Sequence, residues 1–114
     1  MIRTQYRYEK QSRDRLLCIY LYGEIDHHSA LDLRRELDAL ILGERPLRFV
    51  INLERIEFMD SAGLGLLMGR YRLMKELGGE MVVADPNDRV LKILRLAGME
   101  RFFEINRSSR GEKI

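Results

Sequence analysis

The chain has no tryptophan, one cysteine and two prolines among its 114 residues. A lone cysteine, Cys18, excludes an internal disulfide, and a reducing compartment is expected. So few prolines leave little to interrupt helices or strands. An excess of one charge is missing too: 20 Lys and Arg face 18 Asp and Glu, a formal net charge of +2. That balance argues against a nucleic-acid surface or attraction to an anionic membrane. No apolar run approaches the length that spans a bilayer. The N-terminal run Met1-Ile2-Arg3-Thr4-Gln5-Tyr6-Arg7 has no apolar signal-peptide core. Cytoplasmic residence is the expectation.

What is present is the balance of a folded domain, with 46% hydrophobic and 33% charged residues. The length suits one domain with one core. It is expected over residues 1–105, followed by a polar C-terminal tail, 106–114.

Residues 3–9 alternate weakly and predict an edge strand, and the polar run Lys10-Gln11-Ser12-Arg13-Asp14 predicts a hairpin turn. Leu16, Cys18, Tyr20 and Tyr22 alternate with Leu17, Ile19 and Leu21. Apolar residues in both sets predict a strand covered on both faces, ended by Gly23. From Asp26 the period changes to that of a helix, with Ala30, Leu33, Leu37, Leu40 and Ile41 on one face. Asp26 is its N-cap, and Gly43 and Pro46 stop it. Leu47 to Leu53 reads as a third strand. Ser61 to Leu77 reads as a helix with Leu64, Leu67, Met68, Tyr71 and Met74 or Lys75 in register, closed by Gly78-Gly79. Glu80 to Ala84 is a fourth strand, a short helix follows to Gly98, and Arg101 to Ile105 is a last edge strand.

Helices joining strands in this order require crossovers and parallel pairing. The fold class is therefore α/β: a mixed sheet of four to five strands, with helices packed mainly on one face.

In such sheets functional groups gather beyond the carboxyl ends of strands, where helix N-termini point. Asp60-Ser61 occupies that place after the third strand. Asp60 can accept the free N–H groups of the first turn, leaving the Ser61 hydroxyl near the surface. Gly63 and Gly65 each cost a helix about 0.8–1 kcal/mol relative to alanine, which calls for close approach by another backbone. Two readings of the residues follow. In one, Asp60-Ser61 caps the helix and the glycines let it pack on the sheet. In the other, Ser61 accepts a phosphoryl group, whose charge of about −1.5 to −2 the helix N-terminus tolerates. Beside Asp60 that charge would repel an acidic partner surface while the fold stays intact.

Gly23-Glu24-Ile25-Asp26-His27-His28 lies at the other strand-to-helix junction. Adjacent histidines at a helix start diverge by about 100°, so no metal site is expected, and Asp26 reads as a cap that could neighbour Ser61. Dinucleotide binding fails on Met68, which stands where the third fingerprint glycine belongs. A hydrolase elbow fails on Met59. Cys18 falls mid-strand and reads as core. No catalytic residue and no cofactor are expected.

At these residues the sequence resembles a known family. Asp60-Ser61-Ala62-Gly63-Leu64-Gly65 after the third strand resembles the signature of anti-sigma factor antagonists, the STAS-domain family. With Gly23 to His28, Phe58 to Ser61, Gly69-Arg70-Tyr71 and Gly78 to Val83, the likeness extends to their sporulation sigma-F branch. The resemblance implies a single STAS-like domain and a monomer that is not an enzyme. It implies a partner anti-sigma factor with ATP-dependent serine kinase activity, from which the antagonist frees the sigma factor. Phosphorylation of Ser61 switches the antagonist off, and a metal-dependent serine/threonine phosphatase restores it. Gly23, Asp26, Asp60, Ser61, Gly63 and Leu64 are the implied partner-binding residues. Ala62 stands where many relatives carry a second hydroxyl. The rival readings are a STAS-type scaffold without phosphorylation and a phosphoacceptor receiver using Asp60.

Overall fold

The computed structural model describes residues 6–107, so positions 1–5 and most of the predicted tail, 108–114, lie outside the described residues. Strands β1 (Tyr6–Arg13) and β2 (Leu16–Ile25) form an antiparallel hairpin. Its turn is two residues, Asp14 and Arg15, at φ 50° and 69°, the paired left-handed conformation that matches strand twist. Lys10 to Arg13, expected in the turn, extend β1 instead. Their polarity is satisfied from the helix side, where Lys10 and Ser12 both donate to the Glu44 carboxylate at 2.7 and 2.6 Å.

There follow α1 (His27–Glu44), β3 (Arg48–Met59), α2 (Ser61–Glu76), β4 (Glu80–Ala84) and α3 (Asp88–Leu96). A 3-10 turn, Met99–Arg101, leads into β5 (Glu104–Asn106). Residues 101–103, expected in the last strand, therefore lie before it. The strand order is β1-β2-β3-β4-β5, and the pairs from β2 to β5 are parallel. Each helix carries the chain one strand further in the same direction. Right-handed crossovers then put all three helices on one face. The α/β class and the one-sided five-stranded mixed sheet agree with expectation.

Leu17, Ile19, Leu21, Phe49, Ile51, Leu53, Met81 and Val83 form the core with Leu33, Leu37 and Ile41 of α1, Leu67 and Met74 of α2, and Val90 and Leu94 of α3. β2 is not covered on both faces as expected. Leu16, Cys18, Tyr20 and Tyr22 lie half-buried on the side opposite the helices. With Val50, Val82 and Ala84, three of them line a hollow of about 390 Å³. Burial pushes the Cys18 thiol up, with Arg48 opposing, so it is a poor nucleophile.

β3 runs six residues past its expected end at Leu53. Its register with β4 stops at Asn52, while pairing with β2 continues to Met59. Asn87 and Arg89 donate to the Ile56 and Glu57 carbonyls at 2.7 and 3.0 Å, covering part of the freed edge. The charges of Glu54, Arg55 and Glu57 hid this extension, yet all three face solvent. α1 also runs past Gly43. Its cap is Arg45, at φ 50°, whose N–H donates to the Ile41 carbonyl at 2.8 Å. Gly78 follows α2 at φ 82°, as a helix stop requires. On α2 the expected Leu67 and Met74 are buried and Leu64, Met68 and Tyr71 pack half-buried against the core, while Gly63, Leu66 and Arg70 are buried beside them.

Candidate functional site

β2 and β3 end in register, Ile25 beside Met59. The next residues, Asp26 and Asp60, cap α1 and α2, and the Asp60 N–H donates to the Ile25 carbonyl at 3.2 Å. Two parallel helices thus begin side by side, with the positive ends of both dipoles at one edge of the molecule. The extension of β3 beyond β4 is what carries them there.

Asp26 forms a capping box. Its carboxylate accepts from the His28 and Ser29 N–H groups at 2.9 and 3.0 Å, and Ser29 Oγ accepts from the Asp26 N–H at 3.0 Å. The Ser29 N–H, and then the His28 N–H, hold the Asp26 carboxyl below the usual range. Asp60 accepts from the Ala62 N–H at 2.8 Å. Its carboxylate is thereby engaged by its own helix, which disfavours the receiver reading. Ser61 opens α2 and is exposed. Its hydroxyl makes no hydrogen bond to another described residue, so it is free to react or to be contacted.

The glycines divide. A Cβ on Gly63 would run into the Met59 side chain, with Ile25 Cγ2 at 3.5 Å, so Gly63 lets α2 settle against the strand ends. A Cβ on Gly65 would meet nothing within 4 Å. Close approach within the chain, expected for both, holds for Gly63 alone. Gly23 sits at φ 100° beside a shift in the β2–β3 register and aims the end of β2 toward Asp26. Leu64 packs half-buried against the core. His27 and His28 are exposed, and their rings meet at a tilt of 37° with centroids 4.0 Å apart, where divergence was expected.

The structure thus brings Asp26, Asp60, Ser61 and Gly63 together, while Gly23 and Leu64 support them. It adds residues that sequence reasoning left out. Between α1 and α2 runs a groove of about 580 Å³ lined by His27, Ala30, Leu31 and Arg34 on one side and Ala62, Gly65, Leu66, Gly69, Arg70 and Arg72 on the other. Arg70 is 5% exposed. Its Nε lies 2.7 Å from Asp38 Oδ1 as a contact ion pair not aligned as a hydrogen bond, while Nη2 donates to Asp38 Oδ2 at 3.5 Å. Nη1 donates to the Leu66 carbonyl at 3.3 Å. Burial lowers the Arg70 pKa and Asp38 opposes the shift. The available sequence signal was the spacing His27-Ala30-Leu31-Arg34, one helical face carrying little that is large and apolar.

The sequence pattern of the STAS domain matches residues 7–111. The chain belongs to the STAS domain family. It is 38% identical over 90 residues to the anti-sigma F factor antagonist of Paenibacillus polymyxa, covering 79% of this chain and 77% of that protein. It is 30% identical over 93 residues to the anti-sigma-B factor antagonist of Bacillus subtilis, covering 82% and 84%. Its fold is similar to that of the anti-sigma factor antagonist SpoIIAA in its unphosphorylated form, with TM-score 0.78 and 27% identity over 90% of this chain and 89% of that one. The phosphorylated form of the Bacillus cell fate determinant SpoIIAA matches with TM-score 0.71 and 26% identity, over 90% and 92%.

Proposed function

We propose that this STAS domain is an anti-sigma factor antagonist switched off by phosphorylation of Ser61. In this reading it binds an anti-sigma factor that is also a serine kinase, and so frees the sigma factor. The chain is substrate and ligand, and the chemistry belongs to the kinase. A metal-dependent serine/threonine phosphatase reverses the modification. Gly23, Asp26, Asp60, Ser61, Gly63 and Leu64 form or support the contact surface. The carrying observation is Ser61 itself: an exposed hydroxyl at the first residue of α2, beside the N-terminus of α1.

Physical chemistry supports the switch. A phosphate there meets two helix N-termini, so its charge does not oppose folding. It stands next to Asp60, so the docking surface changes sign locally. The relative SpoIIAA, by the names of its structures, exists in both forms, and both resemble this fold.

The test is to incubate the chain with an anti-sigma kinase and ATP and to locate phosphate by peptide mass spectrometry. Phosphate is expected on Ser61 and absent from Ser61→Ala, which should still bind the kinase. Ser61→Asp should fold and bind poorly. No modification of Ser61 by a kinase active on another antagonist overturns the switch and leaves the scaffold reading. Phosphate on Asp60 would return the receiver.

A further inference from the structure

We infer that the groove between α1 and α2 docks an acidic segment of the anti-sigma partner and thereby sets that partner's kinase centre over Ser61. The inference rests on the functional reading above and extends it to residues beyond the Ser61 signature.

The groove begins at the two helix N-termini, where its mouth is lined by His27 and by Ala62, the residue after Ser61. Its floor is low because Ala30, Ala62, Gly65 and Gly69 stand where larger side chains would fill it. Leu31, 50% exposed, is its apolar contact. The far end is lined by Arg34, by Arg72 and by the buried, Asp38-paired Arg70, and among the described residues no carboxylate lines the groove. Asp38 lies just beyond. It takes Arg70 at 2.7 Å and Arg34 at 3.9 Å, so one negative charge is shared between two positive ones. Arg72 is exposed and has no ion-pair partner among the described residues. The formal charge of the groove's lining is positive although the chain as a whole is nearly balanced. This complementarity selects an acidic occupant.

Spacing selects its geometry. At 1.5 Å per residue, Arg34 and Arg72 lie roughly 10 and 16 Å along their helices from the starts at His27 and Ser61. A partner element along the groove can therefore place carboxylates on these arginines while a second part of the partner reaches Ser61. Gly65 and Gly69 let that element approach to backbone distance. Nothing among the described residues requires either glycine, since a Cβ on each meets open space. Phosphate on Ser61 then stands at the mouth of the groove and repels the same acidic segment that the arginines attract, so docking and release use one surface.

The experiment measures binding of the purified anti-sigma F factor of Paenibacillus polymyxa, with ATP analogue present, to four forms of the full chain by calorimetry. These are the unsubstituted chain, Arg72→Glu, Gly65→Leu and, as a control of equal charge change on α3, Lys92→Glu. Arg72→Glu is expected to weaken binding at least tenfold and to flatten its salt dependence. Gly65→Leu should weaken binding while the urea midpoint stays level or rises, which separates a blocked groove from a damaged fold. Lys92→Glu should bind as the unsubstituted chain does. Equal binding by all four forms overturns the groove and leaves the functional reading standing. No binding by the unsubstituted chain overturns both. A dimer of the chain alone that Gly65→Leu dissociates, seen by sedimentation, would assign the groove to a second copy and overturn the inference.

Discussion

Gly63 and Gly65 stand two residues apart in one turn of α2 and meet opposite surroundings, contact with Met59 and Ile25 for one and open space for the other. Gly63→Ala must displace the Met59 side chain near its root, and overpacking of this kind costs about 1–3 kcal/mol. Gly65→Ala gains helix propensity with no clash and should stabilise by about 0.8–1 kcal/mol. Urea unfolding of the two variants should shift in opposite directions; a shared direction contradicts the placement of α2. Asp26 gives a pH signature. Its folded pKa lies below its ordinary value of 3.8, so the unfolded chain takes up the proton first. The cap's contribution is therefore whole above that value and lost as pH falls through the lower folded one. The stability gap between the chain and Asp26→Ala should stay constant above the ordinary carboxylate value and narrow as pH falls from there through the lower folded one. A gap independent of pH would mean the carboxylate does not cap α1.

At the scale of elements, α1 and α2 are joined through the Asp38–Arg70 pair, in which the arginine is almost wholly buried and the aspartate side chain is 29% exposed. Removing one partner leaves an unpaired guanidinium under the helices. Asp38→Ala should cost about 2–3 kcal/mol, below the usual range for a buried pair because Asp38 is partly screened. Replacing both, as Asp38→Leu with Arg70→Met, should cost less than Asp38→Ala alone, because no charge is stranded. Equilibrium unfolding of the three variants measures this. Arg70 was illegible as a structural residue because charge ordinarily signals solvent, and it turns inward because it shares the face of α2 that buries Gly63. The extension of β3 was hidden in the same way. Glu54, Arg55 and Glu57 look unlike a strand, yet past the end of β4 a two-stranded ribbon has solvent on its free edge.

For the molecule as a whole, one core beneath one sheet face should unfold as a single cooperative unit. Hydrogen exchange should be slowest at Ile19, Ile51 and Val83, in the central strands, and fastest in the three-residue β5 and the turn before it. Early exchange at Ile51 would contradict a core centred there. The one-sided layering also explains why β2 looked doubly covered. Its outer set, Leu16, Cys18, Tyr20 and Tyr22, is as apolar as a buried set, but the direction of the crossovers leaves it only half-covered.

The sequence by itself determined the α/β class, the helices and most strands, because hydrophobic period and turn residues act locally. It also placed Ser61 at the start of α2, because an Asp cap beside glycines is a local signal. Tertiary structure alone decided that Asp26 and Asp60 stand side by side, which follows from the β2–β3 register. It alone made the groove, whose lining comes from two helices about thirty residues apart in the chain and brought side by side by the sheet. Which arginine is buried and which glycine is needed were settled the same way. Burial belongs to the packed molecule, and no stretch of chain carries it.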